Sequence, residues 1–304
     1  MIRGAAYTVN LYQQYYAMQI ESLIEWPEAI REFIQFISLF LAIGAVGFHY
    51  AVNRRLAGTA GPAIGDRANH RAAIIGLVGA LIAVAQFAFS LPGAAVQRQL
   101  EISQLLTQDP RTILRLVSVA IAAVGFVTVV AGRRIGWGIA LTGLLLGRVQ
   151  GALTGRPESL INSFHVLSGG LWLGTLFVLV VAGIAVVLRH EPSRDRRGAI
   201  IADMVNRFSP LALVSAGSLV LFGLITAWRH LDPLSSLWTT VYGYTLITKL
   251  VVVAIVFALG AWNWRRQRPK LGTEDTAISI RRSSIIELSV AVVVLVISAI
   301  LVAI

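Results

Sequence analysis

Eight blocks of about twenty apolar residues fill most of this sequence, and they fix the fold class before any motif is read. At ~1.5 Å of rise per residue, a helix of that length crosses the ~30 Å hydrocarbon core of a bilayer. The blocks run over roughly 31–53, 71–91, 111–132, 135–154, 160–188, 208–229, 241–264 and 283–303. Composition agrees. Hydrophobic residues make up 56% of the 304 and charged residues 13%, where soluble domains carry about 25% charged. The sequence therefore predicts an all-α, multi-pass membrane protein with eight transmembrane helices. The fifth block is long enough to tilt or to project past the bilayer.

Pro92-Gly93, the stretch 151–157 and Pro233 read as turns between blocks. Residues 1–30 are polar and aromatic, without the apolar core or cleavage pattern of a signal peptide. Tyr7, Leu11, Tyr15 and Met18 fall there at helical spacing, which predicts a short interfacial helix. The connections after blocks one, three, five and seven hold 17 of the 26 Lys and Arg residues, and the opposite side holds 7. By the positive-inside rule the richer side is cytoplasmic, so both termini lie outside a plasma (inner) membrane. His165 and His230 then belong to the outer half, and His49, His70 and His190 to the cytoplasmic side. Trp238, Tyr242 and Tyr244 suit the outer aromatic belt, and Trp262 and Trp264 the inner one. The loops account for the net charge of +11, and no basic run interleaved with aromatics marks a nucleic-acid surface. The chain has no cysteine, which excludes disulfides, thiolate metal sites and thiol redox chemistry.

The sequence also repeats. "RLVSVAI" from Arg115 matches "KLVVVAI" from Lys249, and each block ends in a basic pair, Arg133-Arg134 and Arg265-Arg266. A weaker match sets Ile37–Gly44 against Leu167–Gly174, which places Gln35 opposite His165. This predicts two parallel-related four-helix halves, 31–155 and 156–304, behind an interfacial arm of residues 1–30.

Within the fifth block, "NSFHVLSGGLWLG" from Asn162 is the most unusual stretch. As a regular helix it would put His165, Ser168, Gly169, Trp172 and Thr175 on one face. Lipid would leave the imidazole unsatisfied, so that face must meet protein or a cavity. Two roles stay open for His165: a hydrogen bond to a backbone carbonyl in a tight helix pair, or a metal ligand. An imidazole suits copper, zinc, nickel or iron, and His230 and Met18 are the partners the outer half offers. Arg115 and Lys249 are intramembrane cations that either snorkel to headgroups or hold an anionic group. Arg148 either contacts headgroups or pairs with Glu158. Glu287, one turn inside the last block, either pairs locally with Arg281 and Arg282 or relays protons. No phosphate loop, nucleophile elbow or paired carboxylates occur, so no catalytic residue is expected and the chain does not read as an enzyme.

The second half carries four motifs in order: "FHVLSGGLWLG", a helix opening on Phe208-Ser209, "TTVYGYTLITKL" from Thr239, and "RRSSIIEL" from Arg281. Together they resemble the copper resistance protein D (CopD) family, whose motif positions would here be His165, Trp172, Tyr242, Gly243, Lys249 and Glu287. Over 31–155 the resemblance is only architectural. It implies a multi-pass plasma-membrane protein for copper ion transport or homeostasis, working among membrane lipids with a periplasmic copper-binding protein or with other membrane subunits. It implies no nucleic-acid partner, and copper as the ion handled. Two other readings stay open. One is a membrane redox subunit with His165 as a haem ligand and Arg115, Lys249 or Arg148 holding propionates. The other is an accessory subunit of a larger membrane complex.

Overall fold

The computed structural model of the protein describes residues 25–230, 235–267 and 274–304, without the side chains of Ala57, His230, 266–267 and 274–277. The predicted interfacial helix of the arm, with Met18, lies outside these residues. Among them the chain is helical throughout, with no strand. Eight long helices match the eight apolar blocks: α1 Trp26–Ala51, α2 Pro62–Arg98, α3 Pro110–Val130, α4 Gly136–Leu153, α5 Ser159–His190, α6 Arg194–His230, α7 Val241–Gln267 and α8 Glu274–Val302. Seven are long and apolar enough to cross a membrane. The exception is α4, whose 18 residues include Arg148, Gln150 and five glycines.

Helix ends follow local chemistry more closely than hydropathy does. Pro27 opens α1 in its first turn, five residues before the apolar block begins, where a missing backbone N–H costs nothing. Asp109 caps α3, its carboxylate accepting from the Thr112 amide at 2.8 Å, and Pro110 follows at the first helical position. The turn expected at Pro92-Gly93 does not form. Helix α2 continues through Pro92 to Arg98 and stops where Gln99 takes a left-handed conformation, φ 53°. Likewise α6 runs unbroken through Pro210 over 37 residues, so its charged first turns extend beyond the apolar block. Membrane helices tolerate an internal proline where neighbouring groups take up the freed carbonyl.

Helix α1 is the hub. It packs against α2, α4, α5 and α8, while α3 closes on α2 and α4, α6 on α5 and α8, and α7 on α8. Helix α5 is the most deeply placed: 72% of its apolar window is buried, against 11% for α7. The crossing of α1 and α5 brings backbone against backbone. A Cβ at Gly174 would strike the Phe40 carbonyl, and one at Gly44 would strike Gly174 itself. Small residues at such crossings let helices approach closely enough for dispersion to hold them in a solvent as apolar as they are. Thr175 and Phe48 complete this buried seam.

At one end of the bundle α1, α2 and α4 share a polar knot. The Trp137 indole N–H can only donate, so the Asn69 atom it meets at 3.1 Å is the carbonyl oxygen. The same oxygen accepts from the Asn53 amide at 3.2 Å and from His49 Nδ1 at 2.9 Å, and the His49 ring stacks on Trp137 with centroids 4.4 Å apart. At the other end the described chain termini meet, the Glu25 amide donating to the Ala303 carbonyl at 3.3 Å.

Candidate functional site

Two π turns, Gly170–Gly174 and Leu179–Ile184, interrupt α5. Each adds one residue to the helix and rotates everything after it by about 100°. The single polar face expected for His165 to Thr175 is therefore split across three neighbours. His165 turns to α6, Trp172 stacks on Phe257 of α7 with centroids 4.8 Å apart, and Thr175 packs on Gly47 of α1.

His165 is half-buried, and its Nδ1 lies 3.0 Å from the Leu219 carbonyl of α6. A carbonyl only accepts, so Nδ1 carries the proton and Nε2 presents its lone pair. No other protein group bonds the ring among the described residues. Gly223, one turn on, gives the ring its seat: a Cβ there would come within 3.0 Å of the imidazole. Phe164 stacked on Phe222 fixes the same pair of helices, centroids 5.2 Å apart. The Lys249 ammonium, on α7, stands within electrostatic reach of the ring. Both proposed metal partners lie outside what is described, Met18 altogether and His230 in its side chain. Among the described residues no three His, Cys, Asp or Glu side chains converge as a ligand set.

The other motif residues have readable local roles. Thr240 caps α7, its Oγ1 accepting from the Gly243 amide at 3.0 Å, and Gly243 lies so close to the Ser236 and Leu237 carbonyls that a Cβ cannot fit. That explains a threonine three residues before a glycine, with half-buried Tyr242 between them. Glu287 is buried on α8, and its partner is not a basic residue: the Asn263 amide of α7 donates to it at 2.5 Å, while Arg281 and Arg282 are exposed. Nor does Arg148 pair with Glu158, which is exposed. It lines a cavity of about 310 Å³ between α1, α2, α3 and α4, and Arg115 lines the same cavity. Sequence reasoning missed this cavity, though single amides inside apolar runs (Gln35, Gln86 and Gln150) were the signal for it.

The comparisons with known proteins bear on the helices that seat His165. The family model of copper resistance protein D matches residues 202–301, which covers Leu219, Gly223, Lys249 and Glu287. That match spans about a third of the chain and takes in most of α6, all of α7 and nearly all of α8. Over 112 residues the chain is 29% identical to the copper transport protein CutJ of Bacillus subtilis (strain 168), a span of 36% of this chain and 20% of that protein. The match thus takes in about a fifth of the relative's length. No solved structure matches. With seven helices long and apolar enough to cross a membrane and a segment similar to copper resistance protein D, the chain reads as a multi-pass membrane protein.

Proposed function

We propose that the protein moves copper ions across the plasma membrane, as a transporter and not as an enzyme. The observation that carries this reading is the unspent Nε2 of His165, on a ring whose Nδ1 edge is seated against Leu219 and Gly223 of the matched segment, with Lys249 within electrostatic reach. Fixing one ring nitrogen on a carbonyl is how proteins orient an imidazole toward a metal. A single nitrogen beside a lysine makes a weak cation site. A pathway needs such a site, since an ion must be able to leave as well as enter. Copper is here the cargo, delivered or received on the outer side by a periplasmic copper-binding protein.

The same reading takes α4 as an eighth span. Glu25 bonded to Ala303 puts the start of α1 and the end of α8 at one face, which requires an even number of crossings between them. Loop charge then favours both ends outside. Two halves are supported by the α1–α5 crossing, where Gly44 meets Gly174 and Ile43 lies against Gly170. The repeat pairs Gly44 with Gly174, and equivalent residues that touch imply an approximate two-fold axis between the halves.

The test is copper accumulation by cells whose own copper transport has been removed, with the amount of protein in the membrane measured alongside. His165→Asn should lower accumulation about tenfold or more, the scale of a lost metal contact, at unchanged protein level. Unchanged accumulation by the variant would defeat the proposal.

A further inference from the structure

The first four helices hold a cavity that lies outside the matched segment 202–301 and that the copper pathway does not use. Its walls carry three guanidiniums, Arg31, Arg115 and Arg148, and one carboxylate, Glu32. Arg31 is already taken: Glu28 pairs with it, and Glu32 lies 3.7 Å from it. The wall hydroxyls are also spent, Ser38 on the Gly79 carbonyl at 2.9 Å and Ser118 on the Arg115 carbonyl at 2.8 Å. The charged donors left unspent among the described residues are Arg115 and Arg148. Arg115 rests on the Phe87 ring, 5.8 Å from its centroid, with no carboxylate bonded to it. Arg148 has no bonded partner, and neither has the amide of Gln35. The Gln150 Oε1 is buried without a donor.

An arginine cannot shed its proton inside a protein, and two of them acting on one another at the wall of a transmembrane cavity repel. Glu32 stands within electrostatic reach of Arg115 without bonding it, so both planar forks stay free for one ligand chemistry, an oxyanion that accepts paired hydrogen bonds. A carboxylate would cancel one of the two charges. A phosphate group can cancel both.

We infer that this cavity binds a phosphate-class oxyanion on Arg115 and Arg148, whether as free phosphate or as the headgroup of an anionic lipid. The lining runs along α1 from Arg31 near its start to Ala42, and Ala42, Gly79, Ala122 and Gly143 contribute small side chains that leave room. Either source reaches it: a headgroup from the bilayer interface, an ion from the water beyond.

The experiment uses the full chain in phospholipid-free detergent micelles at constant ionic strength. Its thermal midpoint is followed while inorganic phosphate is added, and separately dioctanoyl phosphatidic acid. A ligand that binds the folded state raises the midpoint by mass action. A saturable rise with phosphate assigns a free oxyanion, a rise with the lipid alone assigns a headgroup, and either supports the site. Arg148→Gln should weaken the effect about tenfold or more. Arg148→Lys keeps the charge and loses the fork, so it should weaken it too and still decides the matter if the glutamine variant does not fold. Arg133→Gln, outside the cavity, should bind like the parent. No saturable rise with either probe, or parental affinity in the Arg148 variants, overturns the inference.

Discussion

Gly174→Ala tests the close crossing of α1 and α5. The added methyl would meet the Phe40 carbonyl of α1, closer than any real Cβ approaches, with the Gly44 Cα at 3.1 Å. Both obstacles are backbone, so no side chain can swing away and the helices must separate. Overpacking of that kind costs about 1–3 kcal/mol. Replacing glycine by alanine inside a helix returns about 0.5–1 kcal/mol through lower backbone entropy in the unfolded chain. The net loss centres on about 1 kcal/mol and reaches at most about 2.5, so the central value is a factor of roughly 5 in the folding equilibrium. Gly138→Ala on α4 is the matched control, because nothing lies within 4 Å of its added Cβ. That variant keeps only the favourable half of the ledger. Reversible unfolding in mixed micelles, titrated with a denaturing detergent, should place the parent between the two variants. If Gly174→Ala proves as stable as Gly138→Ala, the close crossing of α1 and α5 is wrong, and the approximate two-fold axis goes with it.

Asn69→Ala should cost at least about 2 kcal/mol in the same assay, because the Trp137, Asn53 and His49 donors would lose one shared acceptor at about 1–3 kcal/mol each. An unchanged midpoint would mean that water replaces the amide freely. At Asp109, slight burial works to raise the carboxyl's pKa. The Thr112 hydrogen bonds and Arg98 outweigh it and hold the group below the usual carboxylate value. The unfolded chain then binds that proton more readily, so this contribution is present above about pH 4 and lost as pH falls through the folded value. Asp109→Asn should flatten the acid limb of a midpoint-versus-pH curve, and an unaltered limb would count against the ion pair.

Hydropathy made the helices legible because lipid leaves a chain few choices: a run of about twenty apolar residues must bond its own backbone. It could not place their ends. Pro92-Gly93 read as a turn, yet it sits inside a helix of 37 residues, and α6 starts at Arg194, well before its apolar block at 208. The face of α5 was misread for a sharper reason. Regular periodicity put His165 and Thr175 together, and the π turn between them, Gly170–Gly174, which leaves no mark in the sequence, rotated them onto α6 and α1. Charges drew attention to Arg115, Arg148, Lys249 and Glu287, but their partners were beyond reach. A backbone carbonyl such as that of Leu219 carries no sequence signal, and the Asn263 that meets Glu287 is one amide among many. The neutral amides were the better guide to the cavity, since each stands alone in an apolar run where it has to find a partner.

The repeat gives these polar groups a common logic. On its pairing, Gln35 corresponds to His165 and Arg115 to Lys249. The structure places each couple together, Gln35 with Arg115 on the wall of one cavity and His165 with Lys249 within electrostatic reach. Each half thus carries one hydrogen-bonding side chain and one cation at matching positions, and the two differ in what they can accept. The first half adds Arg148 and offers no imidazole lone pair, which suits an anion. The second offers Nε2 with a single cation nearby, which leaves room for a metal. A protein built from two copies of one four-helix unit would in this way have diverged at the same position into an anion site and a cation site. The two are joined through the α1–α5 seam, so a shift of one half against the other would be felt at both.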